Sequence, residues 1–142
     1  MRILMLGNSY IFTNDLPSML AEIMGAEVVQ NTRGGARLRE QLNPETRLGA
    51  KALELLQNEK WDYVILQDRR YYPISKPQRM KRTIRKLAPY IQASGAKMVL
   101  YQTWAPGKWH NDYDRYDSVS NRSDYQSILN RTIAEIAEEH NA

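Results

Sequence analysis

The chain alternates short apolar segments rich in β-forming residues with longer segments whose apolar residues recur at helical spacing. The strand-like segments cover residues 2–6, 26–30, 61–67 and 97–101. The helix-like segments cover residues 14–24 and 45–58, a third after Ser75, and a last one that starts at Ser120 or Ser123. Strands separated by helices pair in parallel through right-handed crossovers, with helices on both faces. The pattern predicts a three-layer α/β/α domain, flavodoxin-like in outline, with a parallel sheet of four to five strands.

Turn and cap residues predict the boundaries of these elements. Asn14 is expected to cap the first helix and Gly25 to end it. Ser75 is expected to cap the third helix, in which Pro89 predicts a kink or an early last turn. Residues 38–42 fit one helical turn or a structured loop. We find no linker or repeat that would divide the chain.

Composition limits the classes of protein to which the chain can belong. With 142 residues, 42% of them hydrophobic, residues 1–142 are expected to form a single domain with a genuine core. Cysteine is absent, which excludes disulfides, thiol catalysis and cysteine-ligated metals. No apolar run reaches the roughly 20 residues of a membrane span, and no secretory signal opens the chain. A cytoplasmic protein without a membrane partner is therefore expected.

The net charge of +4 raises the question of nucleic acid. Eight of the 20 basic residues crowd into residues 69–86, whereas four of the 16 acidic residues gather in residues 112–124. No zinc finger, RNP motif or basic heptad array accompanies the basic segment, and a basic helix face is usually only solvated. We expect no nucleic-acid partner, whereas an acidic substrate fits the charge.

Polar residues follow each predicted strand. They are Asn8 and Ser9, residues 33–36, residues 67–70 and residues 103–110. In open α/β sheets the carboxyl ends of the strands meet at one rim, where ligands bind. A serine, a glycine pair and a histidine-bearing loop at that rim are typical of an acyl-transfer site, where glycine N–H groups approach an oxyanion.

Four sequence blocks resemble the SGNH (GDSL-like) hydrolase superfamily, in its branch with Gly-Asn-Ser in place of Gly-Asp-Ser. The blocks are Gly7-Asn8-Ser9-Tyr10, Gly34-Gly35-Ala36-Arg37-Leu38, the strand at residues 61–67 and Tyr101-Gln102-Thr103-Trp104-Ala105. The resemblance implies that Ser9 is the nucleophile and that the N–H groups of Ser9 and Gly35 form the oxyanion hole. Where the family has a third donor, an asparagine, this chain has Arg69, and Gln67 is an alternative.

The general base is the main departure from that family. Its Asp-x-x-His block, which follows a fifth strand, has no counterpart here, so the chain is either a piece of a longer enzyme or obtains its base differently. Of two histidines, His140 is expected to cap or follow the last helix. His110 lies in a rim loop near Asp112 and Asp114, and we hypothesise that it approaches Ser9.

The resemblance implies an ester hydrolase that acts on a carboxylic ester or an acetylated carbohydrate. The alternative is a catalytically incomplete scaffold that binds a small anionic or sugar ligand near Ser9 and Arg69; a mononucleotide-binding module lacks a phosphate-cradling loop. No cofactor or metal is expected, since Asp112-x-Asp114-x-x-Asp117 lacks the remaining parts of a calcium loop. An exposed sheet edge predicts a homodimer.

Overall fold

The computed structural model of the protein describes residues 1–142. Four strands and seven α-helices alternate along the chain, with one 3₁₀ helix. In chain order they are β1 (Arg2–Gly7), α1 (Ser9–Phe12), α2 (Leu16–Met24), β2 (Glu27–Thr32), the 3₁₀ helix (Leu38–Leu42), α3 (Arg47–Asn58), β3 (Tyr63–Leu66), α4 (Tyr72–Ser75), α5 (Pro77–Ala93), β4 (Lys97–Leu100), α6 (Asp112–Arg115) and α7 (Arg122–His140). None of the helices combines the length and the apolar character that crossing a membrane requires.

The strands form one parallel sheet in the order β2-β1-β3-β4. Leu6 of the central strand β1 stands beside Asn31 of β2 and Leu66 of β3. The three strands therefore end at nearly the same height, which brings their carboxyl ends to one rim. The predicted fold class, a parallel α/β sheet of this type, is confirmed.

The strand β1 is apolar from Ile3 to Leu6, as suits a strand that is buried on both faces of the sheet. Its Leu4 and Leu6 join the main core, which the helices α3, α5 and α7 cover. Its Ile3 and Met5 face the other way, against Ile11 of α1. The covering on this second face is thin: only α1 and α2 lie there, and Tyr63, Ile65 and Tyr101 are half-buried.

Several predicted boundaries are wrong by a few residues, each for a local reason. Asp15, not Asn14, precedes α2, and it adopts a left-handed conformation (φ 51°) that a short polar side chain tolerates. Ser75 ends α4, and its hydroxyl donates to the Tyr71 carbonyl, so that Lys76 takes the cap position of α5. Pro89 does not end α5 early, because the helix continues to Ala93.

Candidate active site

Ser9 is the first residue of α1, directly after β1 reaches the rim. Ser9 is half-buried, and the preceding residue, Asn8, is the N-cap of α1. The Asn8 side-chain oxygen accepts a hydrogen bond from the Tyr10 N–H at 3.2 Å, which is the usual role of an N-cap side chain. Ser9 therefore lies on a turn that the Asn8 side chain stabilises.

Asn8 also connects this turn to two neighbouring loops. Its Nδ2 donates to the Ala36 carbonyl at 3.1 Å, and its backbone N–H donates to Gln67 Oε1 at 2.9 Å. Asn8 and Gln67 are both buried, at 3% and 0% exposure, so these bonds are shielded from competing water. The ends of β1 and β3 and the glycine turn after β2 are thus held in one arrangement around Ser9.

Gly35 forms the turn after β2. The Ala36 N–H donates to the Arg33 carbonyl at 3.0 Å, and Gly35, the third residue of that turn, has φ +65°. A positive φ at this position favours glycine over residues with a Cβ. The turn is exposed at Gly35 and buried at Ala36, so it presents its outer peptide to solvent.

Ser9 and Gly35 line one pocket of about 240 Å³. The other lining residues are Asn8, Tyr10, Arg69, Arg70 and Tyr71. Neither the Ser9 N–H nor the Gly35 N–H donates a hydrogen bond within the chain. The pocket lining therefore includes a serine and two residues whose backbone N–H groups have no partner within the chain. A larger groove of about 690 Å³ at the outer edge of β2 contains neither a serine nor a histidine.

Gln67 lies beneath the pocket rather than in its lining. Its Oε1 accepts from the Asn8 N–H, and its Nε2 donates to the Asp68 carbonyl. Both ends of the amide are therefore occupied by the backbone.

Asp68 follows as a buried carboxylate, 5% exposed. One of its oxygens, Oδ1, accepts from the N–H groups of Leu38 and Arg69, at 2.9 and 2.8 Å. Burial raises the pKa of Asp68, and these two hydrogen bonds only partly offset that effect. The carboxylate fixes the start of the 3₁₀ helix against the end of β3.

Arg69 is fastened across the pocket to the glycine turn. Its Nε and Nη2 both donate to the Gly35 carbonyl, at 3.1 and 2.7 Å. Its Nη1 donates to the Tyr71 hydroxyl at 2.6 Å. The guanidinium group is thus held in place by two neutral acceptors.

Arg70 points the other way and connects the pocket to the loop after β4. Its Nη1 lies 2.9 Å from Asp112 Oδ2 and makes no hydrogen bond, so the contact is an ion pair. Asp112 is 2% exposed, and its Oδ2 also accepts from the Tyr125 hydroxyl at 3.0 Å. Burial raises the pKa of Tyr125, which keeps that hydroxyl protonated as a donor.

His110 lies on this network. Its Nδ1 accepts a hydrogen bond from the Asp112 N–H at 3.2 Å and also lies 3.2 Å from Asp112 Oδ1, and its Nε2 is 3.3 Å from Arg70 Nη2. No hydrogen bond joins His110 to Ser9; Arg70 contacts His110 and lines the Ser9 pocket. His140, the other histidine, is the last residue of α7, beside Glu139.

Two aromatic residues of the loop after β4 pack on tyrosines of the pocket lining. Trp104 packs edge-to-face on Tyr10, with ring centroids 5.3 Å apart, and Tyr116 stacks on Tyr71 at 6.3 Å. Trp109 is 86% exposed. No group of three or more His, Asp or Glu side chains is arranged to hold a metal ion.

Sequence reasoning missed the two tyrosines of the lining. Tyr71 immediately follows the segment 67–70 and orients Arg69, whereas Tyr10 follows Ser9 directly. Their positions next to predicted site residues were the only available signal.

Comparison with solved structures gives a consistent group of neighbours. A protein of Slackia heliotrinireducens described as an SGNH hydrolase is 38% identical, with a TM-score of 0.91 over 100% of this chain and 76% of that one. A psychrotrophic esterase of Pseudoalteromonas, inhibited by monoethylphosphonate, is 18% identical, with a TM-score of 0.62 over 99% of this chain and 74% of that one.

An acetyl xylan esterase is 15% identical, with a TM-score of 0.65 over 100% of this chain and 75% of that one. At these identities the two esterases show the shared fold alone. No family model matches the chain, nor does any curated protein.

Proposed function

Because the chain belongs to the SGNH hydrolase family, we propose that it is a serine ester hydrolase with Ser9 as its nucleophile. The observation that carries the proposal is the shared pocket of Ser9 and Gly35, two lining residues whose backbone N–H groups have no hydrogen-bond partner within the chain. A hydroxyl and unpaired backbone donors are the nucleophile and the oxyanion-binding groups of acyl transfer, which also needs a general base.

The reaction follows from that arrangement. Ser9 Oγ attacks the carbonyl carbon of the ester, and the carbonyl electron pair moves onto oxygen. The N–H groups of Ser9 and Gly35 donate to this oxyanion, which stabilises the tetrahedral intermediate. Its collapse expels the alcohol and leaves an acyl group on Ser9, which water then removes.

Gln67 and Arg69 are proposed to position this oxyanion hole. Gln67 holds the Asn8 N–H and so fixes the Ser9 turn, while Arg69 holds the Gly35 carbonyl and so fixes the glycine turn. Each acts through the backbone of a residue that faces the substrate.

His110 is proposed as the general base. Asp112 lies against its Nδ1, as an orienting carboxylate does in hydrolytic triads. In the structure Nδ1 accepts from the Asp112 N–H, so this role requires the other tautomer, in which Nδ1 carries the proton and donates to Asp112 Oδ1. Nε2 then exchanges its contact with Arg70 for the Ser9 hydroxyl, accepts the Ser9 proton during attack and returns it to the leaving alcohol.

Turnover of an aryl acetate tests the two assignments together. Ser9→Ala should lower kcat by about a thousandfold or more, since the nucleophile is lost. His110→Ala should lower kcat by about 10²- to 10⁴-fold, the usual contribution of a general base. Ser18→Ala and His140→Ala are the matched controls and should leave kcat unchanged. Equal rates for His110→Ala and His140→Ala would remove His110 from the mechanism.

A catalytically incomplete binding protein is the second candidate. The observation that favours it is the hydrogen bonding of His110, whose Nε2 faces Arg70 rather than Ser9. A folded wild type that binds ligands in the pocket but turns over no ester would support this candidate.

A further inference from the structure

The pocket that contains Ser9 is lined by two arginines and by no carboxylate. The two guanidinium groups differ in their surroundings. Arg70 forms an ion pair with the buried Asp112 at 2.9 Å, so the Asp112 carboxylate offsets the positive charge of Arg70. Arg69 is in no ion pair; its side chain donates only to the Gly35 carbonyl and the Tyr71 hydroxyl. The charge of Arg69 is therefore fixed in place without a carboxylate bonded to the guanidinium.

Arg69 has N–H donors that make no hydrogen bond within the chain. A guanidinium group carries five N–H donors, and three are used. The remaining two belong to Nη1 and Nη2, one on each nitrogen. N–H donors that remain free on a charged guanidinium can bind the oxygens of a carboxylate, and such charge-assisted pairs are stronger than neutral hydrogen bonds.

The guanidinium group of Arg69 lies next to the proposed oxyanion hole. Nη2 lies 2.7 Å from the carbonyl oxygen of Gly35, the residue whose N–H is proposed to bind the oxyanion. Arg69 and Gly35 also line the same pocket, so a substrate whose ester carbonyl occupies the oxyanion hole lies close to Arg69.

We infer that the pocket selects esters that carry a carboxylate near the scissile bond, and that Arg69 binds this carboxylate. The position of the ester in this inference rests on the proposed function. The binding of the anion by Arg69 does not. Tyr71 contributes indirectly, because its hydroxyl holds Nη1 and so orients the guanidinium plane.

Binding to the Ser9→Ala variant tests the inference without turnover. The ligands are 4-acetoxybenzoate and its neutral isostere 4-acetoxybenzamide, titrated by calorimetry. The carboxylate should bind about tenfold more tightly than the amide, as a charge-assisted pair predicts. Adding salt should reduce the difference, because part of the attraction is screened. Equal affinities at low salt would overturn the inference.

Charge substitutions assign the preference to Arg69. Arg69→Gln in the Ser9→Ala background should abolish the preference for the anion, and Arg69→Lys should keep part of it. Arg82→Gln, an exposed arginine of α5 without an ion pair, makes the same change in net charge and should leave the preference intact. Loss of the preference in the Arg82→Gln variant would show that only the overall charge matters, which overturns the inference.

Wild-type turnover of the same two esters separates this inference from the proposed function. Hydrolysis of both esters at equal kcat/KM would refute the carboxylate preference and leave the hydrolase intact. A preference for the anion in binding, together with no turnover of either ester, would refute the hydrolase and leave the anion site intact.

Discussion

Asn8 shows why an amide suits this position better than a carboxylate. Its oxygen caps α1, a task that aspartate also performs, but its nitrogen donates to the Ala36 carbonyl. An aspartate would place a carboxylate oxygen against that carbonyl oxygen in a site that is 3% exposed. The Gly-Asn-Ser block thus matches a glycine turn whose carbonyl needs a donor.

Asn8→Asp should therefore destabilise the fold by about 1–3 kcal/mol, the cost of leaving a buried polar group unsatisfied. Denaturant unfolding followed by circular dichroism measures the change. Asn14→Asp, at an exposed position, is the matched control and should have little effect. A free energy of unfolding equal to that of the wild type would show that the contact with Ala36 contributes nothing.

At the scale of elements, the docking of α3 on the 3₁₀ helix depends on Gly49. A Cβ on Gly49 would lie 2.0 Å from the Asn43 carbonyl oxygen and 2.6 Å from that of Glu40. Both neighbours are backbone atoms, so neither can move aside as a flexible side chain would. The glycine, although it is a poor helix former, lets the two helices pack closely.

Gly49→Ala should destabilise the protein by about 1–3 kcal/mol through overpacking, although alanine in a helix gains about 1 kcal/mol by propensity. The midpoint of thermal unfolding is the measurement. Gly34→Ala is the control, because nothing lies within 4 Å of its added Cβ. Stabilisation by Gly49→Ala would mean that the helices separate at little cost.

The longer elements were predictable because their apolar residues form a continuous run or a periodic pattern that matches the buried positions. The apolar strand β1 and the amphipathic helix α5 are examples, with α5 burying Met80, Ile84, Leu87 and Ile91 at helical spacing. The helices α1, α4 and α6 were missed. Each has four residues, which is too short for a periodic pattern to emerge.

The candidate site was predictable as far as the backbone positions it. Ser9 and the glycine turn follow from strand ends that meet at one rim. The contact of Arg69 with the Gly35 carbonyl spans 34 positions along the chain, and a long side chain can turn in many directions. The network of Arg70, Asp112 and His110 likewise depends on the path of an irregular loop, which no sequence pattern specifies.

At the scale of the whole molecule, the sheet leaves its edges open. β4 is an edge strand: the Lys97 and Tyr101 N–H groups bond towards β3, so that the intervening Met98 and Leu100 N–H groups point outward. Beside this edge, Ile65 and Tyr101 on the thinly covered face are half-buried. Unpaired strand edges with apolar surroundings are templates for pairing with another chain.

We predict a homodimer through β4 that forms as concentration rises. Val99→Lys places a charge on this edge strand and should shift the equilibrium towards monomer, as charges on natural edge strands do. Sedimentation velocity over a concentration series measures the shift. Ser127→Lys, exposed on α7, is the control. A monomer at every concentration would contradict the prediction.

Covalent labelling tests the central claim most directly, namely that Ser9 is an activated nucleophile beside free backbone donors. A fluorophosphonate should modify the wild type once, and mass spectrometry should locate the adduct on the peptide that contains Ser9. Ser9→Ala should remain unlabelled, whereas Ser18→Ala should react like the wild type. Labelling that persists in folded Ser9→Ala, or a folded wild type that never reacts, would contradict the account.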